Sequence, residues 1–401
     1  MRIVNLARWI AIGAVVGGLA GASSALLLET LDRATELRTE HGWLLWLLPV
    51  AGFVTALGYH LVGGRASRGS DLILDEIHTD TAWLPRRMAP LIFVATAVSH
   101  LFGASVGREG TAVQMSGSLA DGWLNRVLRL RGDDRRTLLI TSIAGGFGAV
   151  FGVPIAGCVF GLEVQAADRI RHDAIVPALT ASVLGDRLVA ALGVDHAVVA
   201  ALPRVDLDLV LGAQLALAGV AFGLAARLFA GAVHGLRAVL RRTVTWAPAR
   251  PLIGGLAVIG LTYAVGTRDY LGLSLPLIAA GVAGSIATFA FAWKLLFSTI
   301  SIGSGFFGGE VTPLFVIGAT LGATLGEAFG DPSLFAAVGY AAVFGAAANT
   351  PIACVVLGVE LFGSGAIVPL AIGCVVAYSV SLGSGIYTAQ HGVATAGAKP
   401  S

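Results

Sequence analysis

The chain has 401 residues, of which 56% are hydrophobic and only 12% charged, and its formal net charge is +2. A soluble domain carries about 25% charged residues, so these figures, with a mean hydropathy of +0.83, exclude an ordinary water-soluble protein and describe an integral membrane one. The small net charge and the lack of a basic stripe argue against nucleic acid as a partner.

Met1 to Ile10 carries Arg2 and Arg8 ahead of a long apolar stretch without a small-residue cleavage site, so the start reads as a first membrane helix with a cytoplasmic N-terminus. Apolar segments then follow at 8–30, 43–64, 88–106, 111–128, 137–153 and 154–167. The second half offers 207–240, 251–266, 274–300, 311–329, 334–348, 351–363 and 366–382. Polar joints at 32–41, 64–71, 129–136 and 241–250 separate them, and the 129–136 joint, with Arg129, Arg131, Arg135 and Arg136, marks the cytoplasmic side. A crossing helix needs about 20 apolar residues, which leaves room for about ten to twelve crossings. Several runs are shorter and are expected as half-spanning or re-entrant helices lining a protected cavity.

The halves repeat. Pro154-Ile155-Ala156 recurs as Pro351-Ile352-Ala353, 197 residues on (351 − 154). At that offset Phe147-Gly148-Ala149 matches Phe344-Gly345-Ala346, and Glu163 matches Glu360. One transmembrane domain over 1–401 is expected, with repeats at about 8–194 and 207–392. Such repeats place substrate near the midplane, at broken helix ends.

Two acids stand in matching glycine-rich settings, Gly107-Arg108-Glu109-Gly110 and Gly308-Gly309-Glu310-Val311-Thr312-Pro313, each ahead of an apolar stretch. A carboxylate in hydrocarbon costs about 2.5–3.5 kcal/mol even on mild insertion scales, so intramembrane acids point to function. A helix N-terminus offers free N–H groups and a positive dipole end, which bind an anion without a buried cation. Four glycine-rich breaks suit that role: those at Glu109 and Glu310, Gly69-Ser70-Asp71, where Ser70 or Asp71 can cap a helix beginning at Leu72, and Gly383-Ser384-Gly385-Ile386-Tyr387. Paired acids beside such a pocket indicate ion transport with a proton-carrying carboxylate.

These residues resemble the CLC family of chloride channels and anion/proton antiporters, from roughly Val15 to Gln390, and most closely its fluoride/proton antiporter branch. The marks are Gly107 to Gly110, the Gly-x-x-x-Pro of Gly309 to Pro313, the Pro154 and Pro351 segments, Tyr387, and the acid and threonine of Glu310-Val311-Thr312. The resemblance implies an all-helical, two-repeat inverted architecture with broken and re-entrant helices, and a homodimer in the cell membrane. It makes Glu109 the gate and proton carrier, Glu310 a second functional acid and Thr312 its neighbour in the pathway. Ser70, Gly107, Arg108, Gly110, Val311 and Tyr387 form the candidate anion-binding set, with Arg108 orienting backbone near the gate. The internal proton-transfer glutamate of chloride antiporters falls on Val164 here, which gives that task to Glu310. Ser70 departs from the asparagine or methionine usual in the fluoride branch and matches chloride members, so chloride/proton exchange or a chloride channel remains the alternative.

No enzyme activity, cofactor or metal is expected. The acids lie outside any GxGD or HExxH signature, which argues against an intramembrane hydrolase, and a non-transporting sensor is the third class. His78 and His100 lack histidines at ligand spacing. Cys158, Cys354 and Cys374 read as small apolar fillers, Trp43, Trp46, Trp83 and Trp246 as interfacial anchors. Glu163 and Glu360 read as structural or interfacial, Glu327 as a helix-end residue, and Lys294 as a snorkelling residue or the partner of a helix C-terminus.

Overall fold

The computed structural model describes residues 3–165, 171–196 and 201–390; Arg2 lies outside them. The described chain is helical, with no named strand among the described residues. The first half holds α1 (Ile3–Glu40), α2 (Leu48–Val62), α3 (Ser70–Thr79), α4 (Met88–Phe102), α5 (Glu109–Gly117), α6 (Asn125–Leu128), α7 (Gly132–Phe151), α8 (Pro154–Glu163) and α9 (Ile175–Ala191). The second holds α10 (Leu209–Thr243), α11 (Ala249–Val265), α12 (Leu275–Val282), α13 (Ala290–Ser304), α14 (Val311–Phe329), α15 (Pro332–Ala348), α16 (Pro351–Phe362) and α17 (Ile367–Ser381).

Local chemistry sets many of these starts. Proline occupies the first turn of α8, α15 and α16, where its missing N–H costs nothing. Asp208 and Asp331 cap α10 and α15 by accepting from Leu211 N–H and Leu334 N–H. Among the described residues six helical stretches are long and apolar enough to cross a membrane, and five apolar helices of 10–17 residues are shorter. Exposed apolar side chains on α10, among them Leu217, Leu224 and Leu228, suit a lipid-facing surface, whereas α15 is buried from Leu334 to Ala348. This is a multi-pass integral membrane protein.

The two halves pack alike. α1 lies on α9 as α10 lies on α17, and α5 on α7 as α14 on α15. Equivalent residues of the halves meet one another: the Phe147 and Phe344 rings stack 6.2 Å apart at 14°. Glu163, at the end of α8, accepts Ile352 N–H (3.1 Å) and Ala353 N–H (2.7 Å) at the start of α16. Glu360 returns the contact from α16, accepting Ile155 N–H (2.9 Å) and Ala156 N–H (2.6 Å) of α8. Each helix thus caps the other, which requires them to run antiparallel and makes both acids structural. A head-to-tail exchange of this kind is what an inverted two-repeat arrangement produces.

Several sequence expectations shift. The polar joint at 32–41 is helical as far as Glu40, because Arg38 turns inward and donates to His100 O (3.0 Å). The segment expected at 274–300 breaks into α12 and α13. α9 lies outside the expected segments; Asp186 and Arg187 interrupt its apolar run.

Lys294 does not snorkel. It is fully buried, and its Nζ donates to Gly272 O and Ser274 Oγ (both 2.8 Å) and to Ser105 Oγ (2.9 Å). Arg135, counted with the basic joint, is buried too. It holds Asp121 through Nε and Nη2 (2.8 Å each), Asp80 (2.6 Å) and Glu76 (3.1 Å). All three cysteines are buried and form no disulfide, and Trp43, Trp46 and Trp246 are exposed.

Candidate anion pathway

The two glycine-rich acidic motifs meet at the centre. Gly107 N–H donates to Gly309 O (2.6 Å) and Gly309 N–H donates back to Gly107 O (2.7 Å), a single antiparallel bridge between the turns that precede α5 and α14. Only glycine permits this approach: a Cβ on Gly309 would stand 2.8 Å from Gly110 N, and one on Gly107 would stand 2.9 Å from Glu109 Oε2 and from Thr312 Oγ1. The bridge brings the starts of two helices side by side. Gly107 N–H is thereby used by the backbone and is not open to a ligand, contrary to the sequence expectation.

Glu109 opens α5 and is 2% exposed. Its carboxylate reaches across to α14, where Thr312 donates both its hydroxyl (2.6 Å) and its backbone N–H (3.1 Å to Oε2). Arg108 N–H also donates to Oε2 (3.1 Å), and Arg108 Nε stands 3.8 Å from Oε1. The Glu109 carboxyl group therefore already occupies the N-terminal end of α14, held by donors of the kind that bind anions at helix starts.

Glu109 also separates two spaces. On one side is a cavity of 20 Å³ bordered by Ser70, Gly110, Val311, Tyr387 and the Glu109 side chain, with Phe147, Phe160 and Val164 as apolar wall. A space of this size holds about one water-sized body. On the other side Glu109, Arg108 and Thr312 line a cavity of 380 Å³. A third space, of 830 Å³, meets the smallest at Ser70 and Tyr387, and is lined by Glu310, Arg68, Arg237, Arg241 and Arg250.

The structure thus brings Ser70, Glu109, Gly110, Val311 and Tyr387 around one small cavity, with Thr312 behind Glu109 and Glu310 in the basic vestibule. A Cβ built on Gly110 would lie 3.8 Å from both Glu310 Oε2 and Ser70 Oγ, so these groups converge. Arg108 belongs to the opposite cavity. Neither Ser70 nor Asp71 caps α3, which starts at Ser70. Gly383 to Tyr387 precedes no helix among the described residues; it follows the end of α17, and Ile386 N–H donates to Ala347 O (2.8 Å). Its tyrosine, not a helix dipole, reaches the cavity.

Sequence reasoning passed over Gln114. It lies one turn along α5 and donates to Ser70 Oγ (3.3 Å), orienting that hydroxyl. The interval of five residues from Glu109 was visible, but α3 as its partner was not. Lys294 acts nearby in a similar way. Through Ser105 it fixes the link between α4 and α5 that leads to Glu109. Among the described residues no group of three or more His, Cys, Asp or Glu side chains is placed to hold a metal ion.

Comparison with known proteins places these features in a family. A model described as "Voltage gated chloride channel" matches residues 51–382. The chain is 47% identical over 396 residues to a chloride/fluoride channel protein of Pseudomonas syringae pv. tomato, covering 96% of this chain and 87% of that one. Among solved structures it matches the crystal structure of a CLC-type fluoride/proton antiporter with a TM-score of 0.94 and 33% identity, covering 98% of this chain and 100% of that one. A slow cyanobacterial chloride/proton antiporter matches with a TM-score of 0.79 and 20% identity over 97% of each chain, a likeness of fold alone.

Proposed function

Because the chain belongs to the voltage-gated chloride channel (CLC) family, we propose that it is a fluoride/proton antiporter in which Glu109 alternates between filling an anion position and carrying a proton. The observation that carries this reading is the placement of the Glu109 carboxylate between two cavities, on donors from α14. Ionised, the carboxylate occupies the site and blocks through-flow. Protonated, it loses its charge-assisted bonds, leaves, and exposes the start of α14 to a halide. Movement of the anion one way then accompanies movement of the proton the other way.

The anion would sit among Ser70 Oγ, Tyr387 and the starts of α5 and α14. A small, strongly hydrated ion needs short, well-aimed donors to replace its water, and a cavity for one water-sized body suits it better than a larger halide. The printed names of the relative and of the solved antiporter, at 47% and 33% identity, support fluoride. Glu310, in the basic vestibule, would take the proton on that side, since Val164 offers no carboxylate there.

The same reading places the protein in the cell membrane with a cytoplasmic N-terminus. Arg8 pairs with Asp134 (3.0 Å), so the start of the first helix and the basic 129–136 joint lie on one face. Fluoride that enters as its neutral acid and ionises in a more alkaline cytoplasm would be driven out by incoming protons. The family resemblance gives a homodimer with one pathway per subunit and repeats at about 8–194 and 207–392. Proteoliposomes loaded with fluoride or chloride test the selectivity. Fluoride efflux far faster than chloride efflux is expected, and equal rates would move the assignment to a chloride/proton antiporter or chloride channel.

A further inference from the structure

Two groups proposed to face the anion lie far apart in sequence: Ser70 at the start of α3 and Tyr387 in the segment after α17. Nothing in covalent structure fixes their separation, yet for a cavity of 20 Å³ it decides which ion fits. The segment is pinned to α15 through Ile386 N–H to Ala347 O (2.8 Å) and Gln390 Nε2 to Ala348 O (2.6 Å). It is tied to α3 through Asp71: the Thr388 hydroxyl donates to Oδ2, and Ala389 N–H donates to Oδ1 (3.2 Å).

We propose that Asp71 is a positioning residue that sets the spacing of the Ser70 and Tyr387 hydroxyls, and through it the preference for a small halide. This rests on the fluoride reading above. Asp71 directly follows Ser70, and Thr388 directly follows Tyr387, so the clamp ties the two ligand-bearing positions one residue away from each. An acid in the first turn of a helix ordinarily accepts from that helix's own N–H groups or stabilises its dipole. Asp71 makes no such cap. Its oxygens are turned to the C-terminal segment instead. As a charge it is misplaced, because it borders the vestibule through which an anion must pass and opposes entry. As a bidentate acceptor it joins α3 to the segment that carries Tyr387.

The clamp and the charge make opposite forecasts for the amide. In Asp71→Asn the Oδ1 atom still accepts from Ala389 N–H and Nδ2 can donate to the Thr388 hydroxyl, so the clamp survives without charge. In Asp71→Ala it is lost, and in Thr388→Val half of it is lost. The purified full chain, reconstituted in liposomes, is assayed for fluoride and chloride efflux over a range of internal concentrations. The two lost hydrogen bonds to a charged group act on the anion only through the spacing of the two hydroxyls, so the effect read is smaller than the bonds' own worth: a fluoride-over-chloride ratio about tenfold lower in Asp71→Ala, with a raised fluoride KM. Thr388→Val falls between, and Asp71→Asn stays close to wild type. Wild-type ratio and KM in Asp71→Ala would overturn the clamp, as would an Asn variant that behaves like the Ala variant, which would assign the effect to charge. If Asp71→Ala does not fold, Thr388→Val carries the same test. A wild-type protein that moves chloride as readily as fluoride would end the fluoride reading alone; the clamp is then read from the chloride KM, raised by Ala and spared by Asn.

Discussion

Replacing Thr312 with valine removes one hydroxyl from the Glu109 contact and almost no volume. In the structure that hydroxyl is 2.6 Å from both carboxylate oxygens, while Thr312 N–H and Arg108 N–H also reach Oε2. Valine keeps the two backbone donors. A hydrogen bond to a charged group is worth about 1.5–3 kcal/mol, so the docked carboxylate loses about 2 kcal/mol of support. That is roughly a 30-fold shift toward the undocked gate. In the proposed mechanism docked Glu109 and the transported anion compete for the start of α14, so the anion gains what the carboxylate loses. In proteoliposomes, with a fluoride electrode and a pH-sensitive dye read together, the variant should show a lower apparent fluoride KM. It should also move fewer protons per fluoride, because the site is left unguarded more of the time. An unchanged KM with full coupling in a folded Thr312→Val protein would refute the competition on which the mechanism depends.

Other outcomes follow from the same geometry. Glu109→Gln removes the proposed proton carrier and is expected to abolish coupled proton movement while anions still pass, measured as proton uptake against an imposed anion gradient. Arg135→Met leaves Glu76, Asp80 and Asp121 without their shared cation; breaking a buried ion pair costs about 3–5 kcal/mol, so thermal unfolding in detergent should fall sharply or folded yield vanish. Glu163→Gln and Glu360→Gln each weaken one reciprocal helix cap, by about 1 kcal/mol. Each should lower the unfolding temperature slightly and leave the fluoride-to-chloride ratio unchanged; a changed ratio would place these acids in the pathway.

The parts of the fold that were legible in sequence were those carried by local pattern. Glycine before an acid before an apolar run announced the starts of α5 and α14, and proline announced α8 and α16. The 197-residue recurrence joined Glu163 to Glu360 and Phe147 to Phe344, although it could not show that the members of each pair meet. What stayed hidden depended on partners distant in sequence. Arg135 looked like a cytoplasmic marker because Glu76, Asp80 and Asp121 reach it only after folding. Lys294 looked like a snorkelling cation because its acceptors are hydroxyls and carbonyls of unrelated turns. Gly107 looked like an anion donor until its N–H was found on Gly309. The segment at Tyr387 looked like a helix start because its glycines resemble the others; its position depends on contacts with α3 and α15 that no local pattern records.

The central claim is that fluoride and protons share one gate, and the most direct measurement is a fluoride gradient imposed across sealed proteoliposomes with no proton gradient present. The account predicts that fluoride leaving the vesicles drives protons in against a growing pH difference, and that a matched chloride gradient drives far fewer. Fluoride efflux without any proton movement, in a protein whose Glu109 is intact, would contradict it.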